Sequence, residues 1–359
     1  MLIRIHRETR PGERRVALVP KTVKRLVEAG HRVVLPSGAG TSAGFPDDAY
    51  TQAGAEVFEG DPPEADLVVA VGPVTVEDVA PTKGVVAFLN PLGDPAGIER
   101  FARAGIDALA MEMIPRTTLA QSMDALSSQA SVAGYEAVIL GAALLPRFIP
   151  MMMTAAGTIP PARALVLGAG VAGLQAIATA RRLGARVAGY DIRPEAAEQI
   201  ESLGATFVGG PLEDQGADSG GYASQVSEET KAKQQESLAR HVADSDLVIT
   251  TAQVPGRPAP RLVTREMVES MKPGSVVVDL AASTGGNCEV TVPGETIDHH
   301  GVVIAGPLDL ASRTAGHASE MYSRNVSELA RSNRDLEQFA HTASHELQEP
   351  LRTIERYAK

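Results

Sequence analysis

One cysteine, Cys288, and no tryptophan occur in the 359 residues. A lone thiol excludes an internal disulfide and any metal centre built on several thiolates. Aromatic residues make up only 4% of the chain, so the 44% that is hydrophobic is mostly Ala, Val, Leu and Ile. That is the usual filling of alternating helix and strand layers. Positive charge is in deficit: 33 Lys and Arg against 44 Asp and Glu leave a net charge of −11. Such a balance repels phosphate polyanions, so no nucleic-acid partner is expected. The first residues, through Arg15, lack an apolar run of signal-peptide length, and secretion is not expected. The longest apolar stretch, residues 131–156, is interrupted by Glu136, Pro146, Arg147 and Pro150. A membrane span needs roughly 20 predominantly apolar residues, so this stretch reads as a buried helix with its exit loop. The eight histidines show no metal-ligand spacing, and no metal is expected. His299 and His300 read as solvated residues of a turn, and Cys288 as a structural residue in a Gly-Gly-Asn-Cys turn.

What is present is alternation. Apolar runs at 33–35, 67–71, 85–89 and 108–111 read as buried strands, and residues 21–29 and 95–104 as helices stopped by Gly30 and Gly105. Glycine just past a helix end accepts the left-handed conformation that closes it. A second series follows, with strands at 164–167, 186–190, 247–250, 276–280 and 302–305 and a helix at 173–183. Strands alternating with helices predict parallel sheets covered on both faces, an α/β class. Residues 211–235 are polar and rich in Gly, Ser and acids. They read as a long mobile loop running into a helix.

Between the strand at 164–167 and the helix that follows lies Gly168-Ala169-Gly170-Val171-Ala172-Gly173. A G-x-G-x-x-G alone is weak, but at a strand-to-helix turn it has a mechanism. The first glycine makes the turn, the second lets backbone approach a pyrophosphate, and the third lets the helix pack closely. The helix N-terminus then offers N–H groups and a positive dipole end to the phosphates. Asp191 ends the next strand, about 20 residues on, where a carboxylate accepts ribose hydroxyls and repels a 2′-phosphate. The expected cofactor is therefore NAD(H). Arg193, two residues later, is a counter-signal for a 2′-phosphate.

A dinucleotide site names the cofactor and leaves the reaction open. Residues 115–129 carry Arg116, Gln121, Asp124 and Ser127. With them stand Arg7-Glu8, residues 12–17, Ala133-Gly134-Tyr135, Thr250-Thr251-Ala252, residues 255–260, and Val278-Asp279-Leu280 with Gly285-Gly286-Asn287-Cys288. Over roughly residues 1–326 these strings resemble the NAD(H)-binding component of proton-translocating transhydrogenase, in the alanine dehydrogenase/transhydrogenase superfamily. The resemblance implies two Rossmann-like doubly wound domains: residues 1–125 with about 305–326, and residues 126–304. It implies that Arg116, Gln121, Asp124 and Ser127 hold the nicotinamide end, and that Tyr222 sits on a loop closing over NAD(H). Ile192, Arg193, Thr251, Ala252, Gln253, Leu280 and Asn287 would join the glycine loop, with Val171 and Ala172, and Asp191 as cofactor contacts. It further implies a homodimer and partner subunits that hold NADP(H) and span the membrane. The chain would then be cytoplasmic, peripheral on the inner face of the plasma membrane, with no span of its own.

Two rivals are weighed on chemistry. An amino-acid dehydrogenase removes a hydride and a proton, so it needs an acid/base group. In those relatives, Lys and His follow the third and fourth strands of the first domain; here the positions read Gly72-Pro73 and Asn90-Pro91. Hydride exchange between two nicotinamides moves no proton at that step and needs only positioning. The other rival is an NAD-binding sensor. From Ser327, apolar residues Leu329, Leu336, Phe339, Ala343, Leu347, Leu351 and Ile354 recur three, four or seven apart, one stripe along a long C-terminal helix. Residues 327–359 resemble the dimerisation and phosphoacceptor helix of sensor histidine kinases, with His345 at the phosphoacceptor place. That implies a fusion or a truncated longer protein.

Overall fold

The computed structural model describes residues 1–209, 228–254, 256–308 and 310–329, with backbone alone for 228–234. Tyr222, His345 and most of the apolar stripe beyond Leu329 lie outside the described residues. The chain divides into two units, Met1–Leu126 with Ala315–Lys359, and Ser127–Thr314.

In the first unit, short Val, Leu and Ile runs form six strands: β1 (Leu2–Ile5), β2 (Arg32–Pro36), β3 (Glu56–Phe58), β4 (Leu67–Val69), β5 (Gly84–Ala87) and β6 (Asp107–Ala110). They pair in parallel in the order β3-β2-β1-β4-β5-β6. Helices α1 (Pro20–Glu28), α2 (Asp47–Gln52), α3 (Val76–Val79) and α4 (Pro95–Arg103) connect them. Two apolar clusters result; Val69 and Val86 belong to one, Val68 and Val85 to the other. Alternation of side chains along each strand sends neighbours to opposite faces. β1 has no counterpart among the expected strands because Arg4 interrupts its apolar run. In the fold β1 is central and Arg4 is 4% exposed. Its guanidinium donates to the carbonyls of Pro63, at 2.7 Å, and Val79. Burial lowers its pKa, and the carbonyls satisfy the charge that would otherwise bar it.

A closing helix, residues 315–329, completes this unit. Tyr322 is fully buried and its hydroxyl donates to the Ala70 carbonyl at 2.8 Å. Ser319 and Ser323 accept the backbone N–H groups of Val16 and Val19 at 2.9 and 3.1 Å. Nothing interrupts this helix at residues 326–327, and Leu329 packs against the core.

The helix α5 (Ala125–Leu144) leads into the second unit. A hairpin of β7 (Met152–Thr154) and β8 (Gly157–Ile159) replaces the expected plain exit loop. The main sheet holds β9 (Arg163–Leu167), β10 (Arg186–Tyr190), β11 (Thr206–Phe207), β12 (Leu247–Thr250), β13 (Val276–Asp279), β14 (Thr296–His299) and β15 (Val302–Ala305), in the order β11-β10-β9-β12-β13-β15-β14. All pairs are parallel except the edge pair β14–β15. Helices α6 (Val171–Arg182), α7 (Glu195–Ser202), α8 (Glu228–Asp244) and α9 (Arg265–Glu269) complete it. Continuous apolar strands serve two cores at once: Ala164 and Val166 of β9 face one cluster, Leu165 and Leu167 the other. Both sheets together give the expected α/β class of doubly wound parallel domains. Among the described residues, no helix is long and apolar enough to cross a membrane.

His299 departs from the expectation of a solvated turn residue. It ends β14 and its ring nitrogen lies 3.1 Å from a Glu269 carboxylate oxygen, with the imidazole 17% exposed. Antiparallel pairing with β15 brings it in from solvent.

Candidate dinucleotide-binding site

In the second sheet, β9 pairs with β10 on one side and β12 on the other. That reversal of strand order is where open parallel sheets bind ligands, beyond the strand C-termini. The glycine loop follows β9 there. Gly168 takes φ +99°, and a Cβ on it would lie 2.6 Å from Thr251 Oγ1. A Cβ on Gly173 would lie 1.7 Å from the Gly168 carbonyl oxygen, so only glycine lets α6 start this close. At Gly170 an added Cβ would meet nothing within 4 Å. The space over Gly170 is open for a phosphate, and the first N–H groups of α6 have no intrahelical partner. A dinucleotide pyrophosphate fits these residues.

Gly134 is a functional position not singled out by residue chemistry. A Cβ on it would stand 2.1 Å from the Ala172 carbonyl oxygen. Its lack of a side chain seats α5 against the first turn of α6. A lone glycine inside an apolar helix was the available signal.

Asp191 ends β10 with its side chain 8% exposed. Its carboxylate accepts from Ala169 N at 2.7 Å, Arg193 N at 2.9 Å, and Arg193 Nε and Nη2 at 3.0 and 3.1 Å. Burial pushes the carboxyl up, but the Arg193 guanidinium and the two backbone N–H groups outweigh it and hold the pKa below the ordinary value. The same pairing raises Arg193. Arg193 is thus committed to Asp191 and not turned out toward a phosphate. Ile192 beside it is 57% exposed.

The loops after β12 and β13 meet the glycine loop. Thr251 Oγ1 donates to Gly168 O at 3.0 Å, and Gln253 Nε2 to Leu280 O at 2.9 Å. Asn287 is fully buried; its Nδ2 donates to the carbonyls of Ala252 and Pro260, both at 2.8 Å. Its Oδ1 is a buried acceptor without a partner. Asp279, at the end of β13, organises this corner. It is fully buried and accepts four hydrogen bonds: Thr250 Oγ1 and Ala281 N on one oxygen, Cys288 N and Thr291 Oγ1 on the other. An Asp closing the run Val276-Val277-Val278 was the signal in the sequence. Cys288 is buried, and burial pushes its thiol up.

Arg116, Gln121 and Asp124 stand in the first unit, between β6 and α5, and Ser127 opens the second. Arg116 and Gln121 are exposed, and Asp124 and Ser127 half-buried. The segment is pinned from beneath. Ala120 is buried, Met123 N donates to Ala120 O at 2.9 Å, and Asn325 Nδ2 of the closing helix donates to Ser122 O at 2.8 Å. At the strand ends of this unit, Gly72 is covered by the Arg10 guanidinium, which a Cβ there would meet at 1.7 Å. Asn90 takes φ +54°. Beside them Glu8 accepts from Val71 N at 2.6 Å, and burial raises its carboxyl.

Two family descriptions match: "Alanine dehydrogenase/PNT, N-terminal domain" over residues 4–133 and "Alanine dehydrogenase/PNT, C-terminal domain" over residues 137–356. The chain belongs to the alanine dehydrogenase/PNT family. Within the family, it is 47% identical over 341 residues to the first of the polypeptides that make up NAD(P) transhydrogenase subunit alpha in Rhodospirillum rubrum, covering 91% of this chain and 88% of the relative. Alanine dehydrogenase of Bacillus subtilis is 32% identical over 319 residues, covering 84% and 78%. Among solved structures, transhydrogenase from Sinorhizobium meliloti superposes with a TM-score of 0.85 at 47% identity, covering 92% of each chain. The second family match runs to residue 356, across most of the segment that the sequence set apart from residue 327.

Asp191→Asn is expected to weaken NADH binding by about 1–3 kcal/mol, the cost of a lost charge-assisted hydrogen bond. A carboxylate offers about four acceptor sites, and all four are taken, two by the Arg193 guanidinium. Ribose hydroxyls must replace that guanidinium, and the Asn variant also frees it to meet a 2′-phosphate. NADPH binding should therefore fall less or improve. Because the carboxyl titrates low, NADH affinity should hold at neutral pH and fade only on acidification through and below the ordinary carboxylate range. Equal losses for both cofactors in a fluorescence titration would remove Asp191 from this role.

Proposed function

We propose that the chain is the NAD(H)-binding subunit of a transhydrogenase, positioning NADH for direct hydride transfer to NADP+ held on a partner subunit. The observation that carries this is the cradle in the second unit: open space over Gly170, a helix start behind it, and Asp191 at the ribose position. NAD(H) supplies the hydride when bound. The chain's own residues bind and orient it: the glycine loop and Asp191 hold the pyrophosphate and adenosine ribose, and Arg116, Gln121, Asp124 and Ser127 act at the nicotinamide end. Asn287 Oδ1 offers an unfilled acceptor beside Ala252. No proton moves at the transfer, which suits strand ends carrying Gly72-Pro73 and Asn90-Pro91 better than an amino-acid oxidation would.

The partners inferred are an NADP(H)-binding subunit, a membrane-spanning subunit that couples transfer to proton translocation, and a second copy of this chain. Support for the second copy comes from the β7–β8 hairpin and its approach, where Phe148, Met151, Met153 and Ile159 are 52%, 57%, 74% and 42% exposed. Such apolar exposure marks an interaction surface. Through its partners the chain would sit on the inner face of the plasma membrane. For residues 327–359 the histidine-kinase reading rests on the pattern around His345 alone.

The deciding assay mixes the purified chain with an NADP(H)-binding transhydrogenase subunit, NADH and NADP+. NADPH formation that requires both proteins is expected. Alanine-dependent NAD+ reduction by the chain alone, without exchange in the mixture, would overturn the reading in favour of a dehydrogenase.

A further inference from the structure

The hairpin joining β14 to β15 turns through His300 and Gly301, whose φ angles are +55° and +80°. Two successive left-handed residues are what a two-residue type I′ turn requires, and Asn, Asp or Gly is usual at the first. Here the first is histidine, and its ring lies beside that of His299, with centroids 4.8 Å apart. Facing them is Glu269, the last residue of α9. Its Oε1 lies 3.1 Å from His299 Nε2 and 3.9 Å from His300 Nε2. One donor atom from each of the three side chains falls within 4.8 Å of the other two.

We propose that Glu269, His299 and His300 form a binding site for a divalent transition-metal ion of the Zn2+ type. The distances favour it. Ligands about 2.0–2.1 Å from a tetrahedral zinc stand about 3.3 Å from one another. The two measured separations bracket that value, and the His300 side chain, 68% exposed, is free to rotate inward. The chemistry favours it as well. Two imidazoles and one carboxylate suit zinc, nickel or copper, whereas magnesium and calcium take oxygen ligands. Three protein donors leave a vertex for water.

The site lies far from the cradle in the sheet. His299 pairs with Val302 at the start of β15, and β15 runs parallel to β13, whose far end is Asp279. The metal ligands and the glycine loop are therefore at opposite ends of the strands. An ion there ties α9 to the hairpin without touching the dinucleotide, so the inference stands independently of the proposed function.

The test is a calorimetric titration of the chelator-treated full chain with ZnCl2, with thermal unfolding followed in parallel. Saturable binding with a raised melting temperature is expected, together with unchanged NADH affinity. His300→Asn keeps a residue that tolerates the left-handed turn, so its melting temperature in chelator should match the parent. Its Zn2+ affinity should fall by at least the about 10–100-fold seen when a metal site loses even a supporting group. Glu269→Gln should fall likewise. Absence of saturable binding by the parent, or unaltered affinity in both variants, would overturn the site.

Discussion

Replacing Asp279 by alanine is expected to lower the unfolding free energy by about 3–5 kcal/mol, the range for removing one partner from a buried charged network. The loss arises from what stays behind: two hydroxyls and two backbone N–H groups, those of Ala281 and Cys288, left without their acceptor. Each unsatisfied buried donor costs about 1–3 kcal/mol before relaxation. Asparagine should recover little. Each carboxylate oxygen takes one backbone N–H, so whichever way the amide is turned, its NH2 opposes one of them. The threonine hydroxyls can rotate to accept; a backbone N–H cannot. The measurement is urea unfolding of parent, Asp279→Ala and Asp279→Asn. A midpoint for Asp279→Asn equal to the parent's would show that this corner is held by other contacts.

The second large effect is kinetic. Gln121→Ala is expected to lower the single-turnover rate of hydride transfer, with the NADP(H)-binding partner present, by about 100-fold, as a small misplacement of reacting groups does. NADH affinity should change little, because the pyrophosphate and adenosine contacts lie in the glycine loop and at Asp191. The fold should tolerate the change, since Gln121 is exposed and its segment is anchored by buried Ala120 and the Asn325–Ser122 hydrogen bond. Asp124→Asn should behave similarly. Stopped-flow mixing at saturating NADH separates the outcomes: an intact rate with weakened affinity would make these residues binding groups and not positioning groups.

Much of this molecule is written locally. The strands at 164–167, 247–250 and 276–279 are legible because a run of four apolar residues needs cover on both faces, which a parallel sheet supplies. The glycine loop is legible because each glycine answers a steric demand a few residues away, as Gly173 does against the Gly168 carbonyl. Family membership follows from strings of this kind.

What the sequence could not decide depends on residues far apart in the chain. Arg4 inside β1 reads as a break in an apolar run until carbonyls from residues 63 and 79 come to it. Arg193 reads as a possible phosphate ligand until its guanidinium is seen on Asp191. His299 and His300 read as solvated until antiparallel pairing of an edge strand brings Glu269 against them. Helix and strand preference is set by neighbours within a few positions, so it survives in the linear pattern. Whether a charged side chain is buried, paired or free is set by which distant carbonyl, carboxylate or N–H the topology delivers to it, and only the tertiary structure decides that.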